Sequence, residues 1–94
     1  MQLANLSPAR TSAEAWHRTV ELHTPRLWRV TRAAGVSPGA AAEICQLAFL
    51  RLRQLGGRAP DDPGPWLDAL VRREAAAELR HTASAHRLAA AQPA

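Results

Sequence analysis

The sequence has no lysine and no tyrosine, one cysteine and one phenylalanine, and aromatics make up only 4% of its 94 residues. A single cysteine excludes an internal disulfide and any cysteine-rich zinc site. Cys45 lies in an apolar, helix-forming stretch, the setting of a buried structural thiol rather than a nucleophile. No apolar run is long enough to span a bilayer. Residues 1–10 lack the hydrophobic region of a signal peptide, so a cytoplasmic location is the default expectation. Strand-like alternation and internal repeats are both missing. So are glycine-rich phosphate loops and the His-Glu-x-x-His motif. His17 and His23 are six positions apart and His81 and His86 five, so neither pair shares a helical face. No nucleophile, base and orienting group can be assembled, and the expectation is a non-enzyme with no cofactor and no metal.

What is present points to helices. Hydrophobic residues make up 47% of the chain, and much of that share is alanine, which favours helix but fills little core. The core must therefore lean on Trp16, Trp28, Phe49, Trp66 and the leucines. The length fits one domain of modest stability. All 12 basic residues are arginines, set against 8 acidic ones, for a net charge of +4. That balance suits an anionic partner, or simply a solvated surface.

Capping and breaking residues divide the chain into about four helical segments, an all-α small bundle. Residues 1–11 read as a flexible N-terminus, 12–88 as the helical domain and 89–94 as a flexible tail or linker. Thr11-Ser12-Ala13-Glu14 has the pattern of a capping box. The helix it opens is expected to run to about His23 and to break at Pro25. Pro25 with Thr24 as cap then starts a second segment, which stops at Gly35. Ser37-Pro38 starts a third, ended by Gly56-Gly57. Arg58 to Pro65 is a proline-broken loop. Asp62 or the turn at Pro63–Pro65 opens the last helix, from about Trp66 to His81 or as far as Leu88.

Two helical faces stand out when residues are placed about 100° apart. On the third segment Ile44, Cys45, Ala48, Phe49, Leu52 and Leu55 form a core face. Opposite lie Glu43, Gln46, Leu50, Arg53 and Gln54, with Leu47 on the flank. Leucines framed by glutamine, glutamate and arginine suit a partner-binding surface better than plain solvent. On the last helix Arg73, Arg80 and Arg87 recur every seven residues beside Ala69, Ala76 and Ala83, with Arg72 on the flank. Guanidinium forks above an alanine floor suit a phosphate backbone; a solvated face is the alternative. Glu74 and Glu78 project onto the apolar side of that helix, where each carboxylate needs a partner.

The run Ala41-Ala42-Glu43-Ile44-Cys45-Gln46-Leu47-Ala48-Phe49-Leu50-Arg51-Leu52 resembles a helix of region two of the bacterial extracytoplasmic-function sigma factors. Trp66-Leu67-Asp68-Ala69-Leu70-Val71-Arg72-Arg73, followed by Leu79-Arg80-His81, resembles a second helix of that region. The stretch around Pro25-Arg26-Leu27-Trp28-Arg29 is similar to its opening pair. The resemblance covers residues 12–81 and implies a sigma region-two-like helical fold.

It further implies a transcription-initiation module with two partners. Glu43, Gln46, Leu47, Leu50, Arg53 and Gln54 would meet the clamp helices of core RNA polymerase. Arg58, Asp61, Trp66, Arg72, Arg73, Arg80 and Arg87 would meet the single-stranded −10 promoter element, with the loop from Gly57 to Asp62 holding a base. The chain departs from the family's usual residues at Ala42, Leu47, Arg73, Glu74, Ala77 and His81. Its loop is acidic at Asp61 and Asp62. These features favour an alternative: a sigma-like interaction protein that binds polymerase or an anti-sigma factor without opening promoters.

Overall fold

A computed structural model describes residues 8–92. It contains three α-helices, α1 (Pro8–Ala33), α2 (Pro38–Leu55) and α3 (Gly64–Ala91), with a 3-10 turn at Gly56–Arg58, and no strand among the described residues. Each helix packs against both others. The sequence divides the chain into four segments because Pro25 removes one amide and crowds the carbonyl one turn back. The structure instead carries α1 straight through Pro25. Pro25 and Glu21, whose carbonyl loses its helical partner, are both exposed. Leu27 and Thr31 beyond the proline are buried, while Trp16 and Val20 before it pack on the same core. Burial along one continuous face outweighs the local penalty of about 3 kcal/mol.

The start of α1 also differs from expectation. Residues Pro8 to Arg10 are already helical, so Thr11 lies inside α1 rather than at its start. Of the expected flexible ends, residues 1–7 and 93–94 lie outside the described residues.

The remaining boundaries follow their punctuation. Gly35, at φ +104°, turns the chain between α1 and α2 in a conformation that disfavours any side chain. Arg32 reaches across this turn and donates to the Val36 carbonyl. Ser37 Oγ accepts from the Ala40 amide at 3.2 Å, with Pro38 behind it in the first turn of α2. Gly56, at φ 56°, ends that helix. Asp62 Oδ1 accepts from the Gly64 amide at 3.2 Å, as α3 begins. That helix then extends beyond His81 and Leu88 to Ala91.

Leu27, Val36, Ile44, Phe49, Leu52, Leu67, Leu70 and Val71 form the core. Ala41, Ala48 and Ala75 are buried among them, and their small side chains let the helices approach closely. Trp16 meets Phe49 edge-on, with ring centroids 6.2 Å apart and planes at 88°. Trp28 does not join the core: it is 39% exposed. Thr31 is the buried polar side chain of this core, and its hydroxyl donates to the Leu27 carbonyl at 2.5 Å. Cys45 Sγ lies 3.9 Å from that hydroxyl. Burial pushes the thiol above its ordinary pKa, which keeps it protonated and unreactive. The core dissolves before the end of α3: every described residue from Leu79 onward is exposed.

Candidate nucleic-acid and partner-binding surfaces

Because Ile44, Ala48 and Leu52 anchor α2 to the core, the opposite face of that helix is turned to solvent. Glu43, Gln46, Leu50, Arg53 and Gln54 are exposed there, and Leu47 is half-buried on the flank. Leu50 is 53% exposed in the middle of these polar groups. Arg51, at the border with α3, instead reaches Glu74 Oε2 at 3.5 Å. That pair answers the need for a partner at Glu74 and ties α2 to α3. Glu78 accepts a hydrogen bond from Thr82 Oγ1 at 3.3 Å.

Beside the α2 face lies a cleft of about 630 Å³ between the first half of α1, the end of α2 and the loop leading to α3. Trp16, Leu52, Arg53, Ala59, Pro60 and Asp61 are among its lining residues. The Arg53 guanidinium lies over the Trp16 ring, 5.7 Å from its centroid. This cation–π contact holds a flat, cationic plane at the cleft wall. Asp61, exposed on the loop, supplies a carboxylate to the same opening. Arg58 is exposed on the 3-10 turn, and Trp66 is half-buried against the core at the start of α3.

The arginines of α3 lie on the side away from Leu67, Leu70, Val71 and Ala75. Arg72, Arg73, Arg80 and Arg87 are all exposed. Arg73, Arg80 and Arg87 follow one another at roughly 10 Å of helical rise. Among the described residues Arg73 and Arg80 enter no ion pair, while Arg87 donates to Ser84 Oγ at 3.1 Å. Arg72 differs, since its Nη2 is 3.6 Å from Asp68 Oδ2. Its charge is already partly answered.

Asp68 is the hub of a clasp between α1 and α3. Arg26 grips it through two parallel bonds, Nε to Oδ1 at 3.1 Å and Nη2 to Oδ2 at 2.8 Å. Hydrogen bonding from Arg26 holds the Asp68 carboxyl below its ordinary 3.8, with the charges of Arg26 and Arg72 acting in the same direction against partial burial. A carboxylate with a depressed folded-state pKa stabilises the fold above its unfolded value and loses that contribution as pH falls through the folded one. The domain should therefore lose thermal stability as pH drops below about 4, and Asp68→Asn should blunt that acid sensitivity. Melting temperatures of both proteins at about pH 5 and about pH 3 test this; equal acid losses in the two would mean that the clasp plays no part in acid sensitivity.

Sequence spacing joins the α2 face and the α3 stripe, and the structure keeps each on its own surface. The clasp and the Trp16–Arg53 pair escape such a reading, because Arg26 and Asp68, like Trp16 and Arg53, are brought together only by tertiary packing. Comparison of the chain with protein-family models, with curated proteins and with solved structures finds no match.

Proposed function

We propose that this helical domain is a sigma region-two-like module of transcription initiation. It binds the clamp helices of core RNA polymerase through the α2 face and captures the single-stranded −10 promoter element on the loop and α3. The observation that carries this reading is the cleft. Its wall combines the Trp16 ring and the Arg53 guanidinium with Asp61, which lies on the loop from Gly57 to Asp62 where the sequence resemblance would place an unpaired base. An aromatic or guanidinium plane stacks on any base, and a carboxylate accepts from an exocyclic amino group. Arg73, Arg80 and Arg87 supply a cationic track for the backbone leading away from it.

A second reading rests on Asp61, Asp62 and the Asp68–Arg72 pair. Together they lower the positive potential around the cleft, which suits a sigma-like protein that binds polymerase or an anti-sigma factor without opening promoters.

Titration of labelled single-stranded oligonucleotides at two salt concentrations, with and without core polymerase, separates the two readings. On the first, Arg73→Ala, Arg80→Ala and Arg72→Ala weaken binding to all sequences alike, with Arg72 contributing least. Each phosphate that an arginine no longer neutralises flattens the salt slope by roughly 0.7. Asp61→Ala instead changes base preference, because base contacts specify while backbone contacts position. No arginine-dependent binding in either setting leaves the second reading.

A further inference from the structure

A second concavity, of about 530 Å³, runs between the C-terminal half of α1 and α3, with Val30, Ala33, Ala34, Ala76 and Leu79 forming an apolar floor. Arg29 of α1 and Arg72 of α3 stand along it. Gly35 adjoins its end, where a Cβ would sit 3.9 Å from Leu79 Cδ2. Leu79 is 39% exposed, an apolar side chain that this fold leaves half uncovered. Among the described residues no carboxylate lines the groove. Beyond Leu79, α3 continues with Arg80 and Arg87 and no acidic residue.

We propose that this groove is a docking site for an acidic amphipathic helix of a partner protein. Both walls are helices whose backbone groups are bonded internally, so an extended strand would find no edge to pair with. The alanine floor admits close approach of a third helix, and its leucines would pack on Val30 and Leu79. Carboxylates on the flanks of that helix would meet Arg29 on one side and, on the other, Arg72, which they would share with Asp68. Nucleic acid is the poorer occupant, because no aromatic ring lines this groove whereas one lines the cleft. The exposed half of α3 from a second copy would bring like charge against like. This docking site uses no residue of the α2 face or the cleft, and it shares only Arg72 with the proposed single-strand track.

The test titrates the isotopically labelled protein with a synthetic helical peptide carrying leucine at helical spacing and glutamate on both flanks. A version with lysine for glutamate and an oligothymidine serve as the other probes. The glutamate peptide is expected to shift the amides of residues 29–34 and 72–80, and the lysine version to leave them in place. Ala76→Trp, which fills the groove, should weaken the glutamate peptide at least tenfold. Arg29→Glu should also weaken it while improving binding of the lysine peptide, a reversal that mere unfolding would not give. Equal binding of both peptides, shifts confined to other surfaces, insensitivity to Ala76→Trp, or displacement of the peptide from these amides by oligothymidine would each overturn the assignment.

Discussion

Leu67→Ala is expected to cost about 3 kcal/mol of folding free energy and to move the urea midpoint far toward zero. Leu67 is completely buried where α3 meets the core, so truncation removes apolar contact and leaves a cavity that three tightly packed helices cannot fill by shifting. A single domain of this size holds about 5–10 kcal/mol in total, so the loss is a large share of its stability. The control lies on the same helix. Leu88 is 68% exposed, and Leu88→Ala should change stability by no more than about 0.5 kcal/mol. Urea melts followed by circular dichroism compare the two directly. Similar midpoints for both variants would mean that α3 does not pack through Leu67.

On the proposed function, Leu50→Asp should weaken binding to core RNA polymerase by roughly thirtyfold or more, equivalent to about 2 kcal/mol. Leu50 is the one fully apolar side chain exposed at the centre of the α2 face, and its replacement would bury a charge at the interface. Gln46→Ala should have a smaller effect in the same direction. Neither change should disturb the fold, because both side chains point away from the core. Leu22, 73% exposed on α1, provides the comparison. Leu22→Asp introduces the same charge on a different surface and should leave polymerase binding alone. If Leu22→Asp and Leu50→Asp are equally harmful, or equally harmless, the α2 face is not the docking surface.

Local chemistry in the sequence reaches some of this arrangement and stops short of the rest. Ser37-Pro38 and Gly56 act within a few residues of themselves, so the bounds of α2 follow from them directly. The two faces of α2 follow as well, because their period belongs to a single helix. Pro25 misleads, since its penalty is local while the burial of Leu27 and Thr31 that overrides it is tertiary. The four segments expected from these signals are three helices for that reason. Trp28 misleads in a similar way: its size suggests core, but its place on α1 leaves it at the surface. The Arg26–Asp68 clasp joins residues 42 positions apart, and no periodicity carries such a signal. The helical pattern requires a partner for Glu74, yet only the packing of α2 on α3 identifies it as Arg51.

The long solvated end of α3 gives one helix two different resistances to opening. From Leu67 to Ala75 the helix is anchored by Leu67, Leu70, Val71 and Ala75 in the core, and its amides are expected to exchange with solvent hydrogen only when the whole domain unfolds. From Leu79 to Ala91 no burial supports the helix, and an isolated segment of that length is only marginally helical in water even when rich in alanine. Its last turns therefore melt and re-form without disturbing anything before them. A partner that grips this end in helical form must also supply the entropy of holding it so. Affinity there then depends on temperature and helix propensity as well as on contact, and a glycine at Ala85 would weaken capture without touching the partner.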